Sequence, residues 1–387
     1  MRPEPAFVFQ IARAYINGAY PGKSANAIPD RFDWELFKGC LLYHGIGGMA
    51  FPVLDQSGDS VQADILAFVK NQYYLTLMRS QLLWKEFLII AKAFNRAHIA
   101  MVPLKGIALL AGIYRDMPLR TMRDIDILVA PRDLSAARSV IESLDYTLNL
   151  DGLKPSYWYD HFELQFTRRH AQKTMHVDLH YAFSVKQPLA KIVPALWDRS
   201  RITRIDDTEI RLPSIEDIIV GLAVHQRTFG NPASQKNPLD LALIMKKYSG
   251  KIDWDYLTER ARAGQITACL YFLCLRTACL FQTAFPVDLR KRLHVTRSKH
   301  ARMEKNVYKH LFPSHGIQQA WLDNHFLLYD DWFTPIRMVI AVPQEQFAKF
   351  YHLRPYATLT MLLYHTRPAY ILYRTLKDLA GKVLRPR

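Results

Sequence analysis

The sequence predicts an α+β fold: a small mixed sheet with flanking helices, preceded by N-terminal helices and followed by a largely α-helical C-terminal region. Three observations carry that expectation. Short apolar or β-branched runs at 102–104 and 125–129 bracket a helical segment. A hairpin pattern follows between Phe162 and His180. Long stretches with apolar residues at helical spacing lie on both sides of this middle part. The chain therefore divides into a helical region over 1–97, a sheet-bearing core over 98–212 and a helical region over 213–387 that ends in a basic amphipathic tail.

Residues 5–20 predict a short helix, 21–32 a loop rich in Gly, Pro, Asn and Asp, and Asp33 to His44 a second helix. A long helix is expected from about Val61 to Ala97, with Leu66, Val69, Tyr73, Leu77, Leu82, Phe87 and Ile90 on its apolar face. In the core, Val102-Pro103-Leu104 leads into a Lys105-Gly106 turn and a helix start. After the second strand, Pro131-Arg132-Asp133 opens a helix to about Leu144, with Asp133 as N-cap and Leu134, Ala137, Ile141 and Leu144 as the buried stripe. The order is thus strand, helix, strand, helix, hairpin. From Pro213 the texture is helical. Ser214 is placed to cap a helix, with Asp217 three residues on. His225 lies in that helix, and Leu239 to Tyr248 predicts the next, with Asp240 in it. Residues 250–300 continue as helices.

One stretch organises the chain, Arg120-Thr121-Met122-Arg123-Asp124-Ile125-Asp126-Ile127-Leu128-Val129. Side chains alternate along a strand, so Asp124 and Asp126 point the same way, roughly 7 Å apart at ~3.3 Å per residue. Ile125, Ile127 and Val129 point into a core. Two carboxylates on one face repel unless a cation lies between them, and Mg²⁺ favours one or two carboxylates together with phosphate oxygens. Upstream, the Lys105-Gly106 turn at a helix start offers backbone N–H groups, close approach at glycine and a point charge, all of which suit phosphate. Read alone, it is equally an ordinary strand-to-helix turn. In Met175-His176-Val177-Asp178-Leu179-His180, alternation puts His176, Asp178 and His180 on one face, so Asp178 is a third carboxylate on another strand.

Lys105-Gly106, Arg120, Asp124-Ile125-Asp126 and Val177-Asp178-Leu179-His180 together resemble the nucleotidyltransferase superfamily of the polymerase-beta type, in particular its bacterial branch labelled "nucleotidyltransferase family protein". The resemblance runs from about Ser80 to about Met245. Many superfamily members carry Gly-Ser or Gly-Gly in the phosphate turn, closer to the Asp pair; here Lys-Gly stands further upstream. The resemblance implies a metal-dependent transfer of a nucleoside monophosphate from an NTP, ATP included, to a hydroxyl-bearing acceptor. Asp124, Asp126 and Asp178 are the implied catalytic and metal-binding residues, with Mg²⁺ or Mn²⁺ as cofactor and Asp178 as general base. Lys105, Gly106 and Arg120 are the implied nucleotide contacts, Arg120 being preferred to Arg123. His180 orients the acceptor or hydrogen-bonds behind the carboxylates; His225 and Asp240 match a His and an Asp of the branch, read as a structural contact in preference to a substrate role. The alternative within the same fold is a catalytically inactive nucleotide-binding or interaction protein.

The 387 residues are half hydrophobic, which suits a folded protein with a substantial core. The formal charge of +16 suggests an anionic partner. Nucleic acid is the less favoured one, because the basic residues are scattered and no zinc module or RNA-binding motif is present. The Arg290-Lys291-Arg292 run with Arg297, Lys299, Arg302 and Lys305 reads as a solvated face. In the tail, Leu372, Leu376, Leu379 and Val383 at helical spacing among Arg and Lys suit either an anionic membrane surface or the protein's own core. Cys40, Cys269, Cys274 and Cys279 fit no common zinc spacing and read as core thiols of a reducing compartment. The expected location is the cytoplasm; the membrane-surface reading of the tail would add peripheral attachment at the inner membrane. Residues 1–15 lack a signal peptide's apolar core, and 268–285, with Arg276 and Gln282, reads as a buried helix.

Overall fold

In the computed structural model, the alternating segments of the middle part pair into one five-stranded sheet. Its strands are β1 (Met101–Pro103), β2 (Ile125–Val129), β3 (Thr147–Leu148), β4 (Glu163–His170) and β5 (Lys173–His180), in the spatial order β1-β2-β5-β4-β3. The β2–β5 pair is parallel and the other pairs are antiparallel, so the sheet is mixed, as expected. The structure describes residues 2–18, 31–56, 61–114, 120–149, 163–170, 173–182, 192–228, 234–309, 311–312, 323–324, 326–335, 348, 354, 356–366 and 369.

β2 explains the sheet's depth. Ile125, Ile127 and Val129 are fully buried in the main core. Leu128, on the opposite face, packs in a second cluster with Val102, Leu104, Val193 and Leu196. Neither face is solvated, so Asp126 is buried beside Leu128 and is itself only 2% exposed.

Ahead of the sheet come α1 (Pro3–Asn17), α2 (Trp34–His44), α3 (Gly47–Leu54) and α4 (Ala63–Arg96). Asp33 caps α2 by accepting the Leu36 N–H at 2.9 Å. α3 was not expected: Gly47 and Gly48 are weak helix formers, yet both are buried beside Met49, Ala50, Val53 and Leu54, and that burial outweighs their weak propensity. α4 buries Val69, Phe87 and Ile90 as expected. In its middle the buried positions are Thr76 and Ser80, while Tyr74, Leu75 and Met78 face outward.

Within the core, α5 (Lys105–Gly112) follows β1 and α6 (Leu134–Glu142) follows β2. Asp133 stands at the N-cap position of α6 but makes no cap bond, a departure from expectation: the 3₁₀ turn Pro131–Asp133 runs straight into the helix. After α7 (Val193–Arg199), a hairpin absent from the sequence reading appears, β6 (Arg201–Ile205) with β7 (Thr208–Leu212). Its two turn residues, Asp206 and Asp207, have φ of 46° and 60°, the pattern of a tight two-residue hairpin turn.

The remaining helices are α8 (Ile215–Thr228), α9 (Lys236–Tyr248), α10 (Trp254–Ala263), α11 (Thr267–Phe281), α12 (Leu289–Arg292) and α13 (Arg297–Val307). Ser214 caps α8 as expected: its Oγ accepts the Asp217 N–H at 3.2 Å and donates to Asp217 Oδ2 at 2.8 Å. Cys269 and Cys274 are buried on α11, Cys40 is buried on α2, and all four cysteines are free thiols. In the basic run, Arg292 pairs with Asp255 and Asp288, and Arg290 donates to the Val295 carbonyl. Among the described residues, no helix is long and apolar enough to cross a membrane. The chain forms two compact units, 1–330 and 331–387. In the second, Leu359, Leu362 and Leu363 are exposed on a helix over 358–366. The amphipathic tail positions from Leu372 onward lie outside the described residues, as does most of the expected 21–32 loop.

Candidate active site

Strand register builds the site. The parallel β2–β5 pairing sets Asp126 directly beside Asp178. The antiparallel β4–β5 pairing sets Glu163 opposite His180 and Gln165 opposite Asp178. Side chains at paired positions share a face, so three carboxylates and an imidazole converge where two ladders meet.

The two neighbouring aspartates have opposite proton affinities. Burial disfavours charge on Asp126, but Lys105 and His180 outweigh it and hold the carboxyl well below the usual range. Lys105 Nζ donates to Asp126 Oδ1 at 2.5 Å, and His180 Nε2 lies 2.9 Å from the same oxygen. At Asp178 the Lys105 charge is outweighed. Burial, then Asp126, Glu163 and Asp124, push its pKa up to about 8. The opposite ring nitrogen of His180 lies 3.3 Å from Glu163, so the imidazole stands between two carboxylates. His176, expected on the same face, is exposed in the middle of β5.

Ligand atoms of Asp126, Asp178 and His180 lie within 4.8 Å of one another, a spacing able to hold a metal ion. Asp124 is outside that group. It stands just before β2, half-buried, and burial followed by the Asp126 charge raises its pKa. It lines, with Asp126, a cleft of about 460 Å³. The same cleft is lined by Lys105, Gly106, Arg120, Arg123, Lys236 and Arg276. Five cations thus share a cleft with two carboxylates.

Each sequence-predicted contact has a definite place. Lys105 opens α5 with φ +46°, a left-handed conformation that is uncommon outside glycine. Gly106 is tight against the chain itself. A Cβ there would meet Met122 Sδ at 2.5 Å and Arg120 Nη1 at 2.8 Å, so glycine is what lets the Arg120 guanidinium lie against α5. Arg120 is held by Asp240, with Nε at 3.0 and 2.8 Å from its two carboxylate oxygens. Tyr114 donates to the same Asp240 at 2.5 Å. This corrects the expected His225–Asp240 contact: Asp240 serves Arg120 and Tyr114, and His225 meets Asn237 at 3.2 Å. The reason is depth, since Asp240 is fully buried and the guanidinium supplies the opposite charge that burial demands. Arg123, passed over in favour of Arg120, also lines the cleft; it precedes the first residue of β2, so strand alternation does not fix its direction.

Sequence reasoning missed Glu163, Lys236 and the cleft position of Arg276. Glu163 was visible as the first polar residue of the hairpin, but only the register sets it against His180. Lys236 comes from α9, remote in sequence from the aspartates, and no local motif marks it.

The comparisons with known proteins bear on this geometry. No curated protein matches the chain. A family model described as "Uncharacterised nucleotidyltransferase" matches residues 30–282, well over half of the chain and a span that includes every residue lining the cleft. With the aspartates paired across β2 and β5 inside that span, the chain belongs to this uncharacterised nucleotidyltransferase family.

Proposed function

We propose that the cleft binds a nucleoside triphosphate with its α-phosphorus at Asp124, Asp126 and Asp178, and that the chain transfers the nucleoside monophosphate to a hydroxyl-bearing acceptor. The observation that carries this reading is the pairing of Asp126 with Asp178, Asp126 lining a cleft that also holds five cations. A divalent cation, Mg²⁺ or Mn²⁺, fits the donors present. Asp126, Asp178 and His180 converge within 4.8 Å, and the crowded carboxylates retain a proton at Asp178 where a cation would relieve them. Bound there, it supplies Lewis-acid stabilisation of the phosphate oxygens.

The chain's own residues do the rest. The acceptor oxygen forms a bond to the α-phosphorus, the bond from that phosphorus to the α–β bridging oxygen breaks, and pyrophosphate leaves with the electron pair. The hydroxyl proton passes to Asp178, which would be ionised beside the cation and so able to accept it. His180 fixes the Asp126 carboxylate from one side and Lys105 from the other. Lys105, Gly106 and Arg120 line the phosphate-binding wall.

A second reading, nucleotide binding without transfer, is favoured by one observation: the Lys105 ammonium already neutralises Asp126. Incubation with each α-³²P-labelled NTP, Mg²⁺ or Mn²⁺ and cell extract separates the two. Label should move to an acceptor with the wild type. Transfer should fall at least about a hundredfold in Asp126→Asn, since even residues behind metal ligands are worth 10–100-fold. NTP binding without any transfer supports the second reading. Neither binding nor transfer by the wild type removes both.

A further inference from the structure

The leaving group of the proposed reaction needs a seat of its own. Pyrophosphate carries several negative charges, and cations already neutralised by carboxylates serve it poorly. Of the five cations lining the cleft, Lys105 is paired with Asp126 and Arg120 with Asp240. Arg276 lies deep on α11 and donates to Gln226 Oε1 at 3.3 Å. Lys236 and Arg123 have no carboxylate partner among the described residues.

Lys236 is the more telling of the two, because it is half-buried rather than solvated. Burial, with Arg120 and then Arg123 nearby, lowers its pKa to about 8. An ammonium held among like charges and away from water is costly unless an anion joins it. Its path is also cleared on purpose by backbone. Gly45, at the C-terminus of α2 with φ +69°, passes so close that a Cβ there would come within 2.4 Å of Lys236 Cε and 3.0 Å of Thr121 Oγ1. Two hydroxyls lining the same cleft, Thr121 Oγ1 and Ser234 Oγ, are shut from solvent and have no hydrogen-bond partner among the described residues. Buried polar atoms are nearly always satisfied, so such a pair in a cleft with an ammonium that makes no carboxylate ion pair among the described residues points to a polar ligand.

We propose that Lys236, with Arg123 and the hydroxyls of Thr121 and Ser234, seats the β- and γ-phosphates of the nucleotide. The inference rests on the nucleotidyltransferase reading above and adds the residues that distinguish a triphosphate from a monophosphate. It assigns Lys105 to the carboxylate end of the cleft and the terminal phosphates to α9 and the segment before β2.

Titration calorimetry of the full chain with Mg²⁺ tests it, using NTP, NMP and inorganic tripolyphosphate as probes. Lys236→Met should weaken NTP and tripolyphosphate binding tenfold or more and leave NMP binding as in the wild type. Lys236→Arg should restore most of the loss. Arg123→Met, at an exposed position that folding tolerates, should weaken the same two probes in the same direction. Unchanged tripolyphosphate and NTP affinity in Lys236→Met overturns the assignment while the transferase reading stands. A loss that falls equally on NMP also overturns it, because Lys236 would then support the whole cleft. A wild type that binds no NTP with Mg²⁺ overturns the reading beneath it.

Discussion

His44 shows what burial alone does to a titratable side chain. It is fully buried at the end of α2, hydrogen-bonded through Nε2 to the Leu311 carbonyl at 3.1 Å, and burial lowers its pKa from 6.5 to about 3. The unfolded chain takes up this proton near pH 6.5 and the folded chain near pH 3. Between those values the unfolded state binds more protons, so stability rises with pH and is lost as pH falls from about 6.5 toward 3. The slope is at most about 1.4 kcal/mol per pH unit. His44→Gln, which keeps a donor for Leu311, should flatten the fall in denaturation midpoint between pH 6.5 and 4.5; an unchanged slope would show that His44 titrates in the fold. Asp126 and Asp178 make the complementary case. They are the same residue type, side by side, yet one is held ionised by Lys105 and His180 while the other keeps its proton to about 8. Residue type was legible in the sequence, and so was the shared face. The opposite proton affinities were not, because they depend on which oxygen Lys105 reaches and on where Glu163 falls in the register.

At the scale of elements, α4 and the sheet are tied by one polar knot. Glu86, buried in α4, accepts from Arg168 of β4 at 2.7 Å and from Tyr146 at 2.9 Å. Arg168 also lies over the Tyr146 ring at 4.8 Å. Glu86→Ala strips the guanidinium and the phenol of their buried partner, which should cost about 3 kcal/mol. Urea denaturation measures it; a loss below about 1 kcal/mol would place the pair with exposed ion pairs of little worth. Elements with a local signature were readable in advance. Ser214 and Asp217 announce α8, Asp33 announces α2, and the alternation from Met175 to His180 announces β5. α3 was not readable, because Gly47 and Gly48 are helical only under burial. The β6–β7 hairpin did have a signal, an Asp206-Asp207 pair between alternating segments, but aspartate at positive φ is a weaker mark than Asn-Gly.

For the molecule as a whole, the formal charge of +16 acquires a location: five of its cations line one cleft. A ligand that binds only the folded state stabilises it by about 2.7 kcal/mol at one hundred times its dissociation constant. NTP with Mn²⁺ should therefore raise the thermal midpoint of the full chain, and chelation by EDTA should remove most of the rise. The rise should shrink as salt increases, since exposed charges such as Arg123 are screened over about 8 Å at 0.15 M. A midpoint indifferent to NTP with Mn²⁺ present would separate the cleft from nucleotide chemistry.

The chain's own letters settle short-range matters: where the β2 and β5 strands alternate, that Ser214 caps a helix, and that Asp126 and Asp178 each stand on an alternating strand. These follow from side-chain periodicity and local hydrogen bonding, which act over a few residues. The folded molecule alone settles that His180 stands between Asp126 and Glu163, that Asp240 holds Arg120, and that Lys236 arrives over Gly45 into the cleft. Those contacts join segments far apart in the chain. Burial and charge compensation select them, and both are properties of the packed whole.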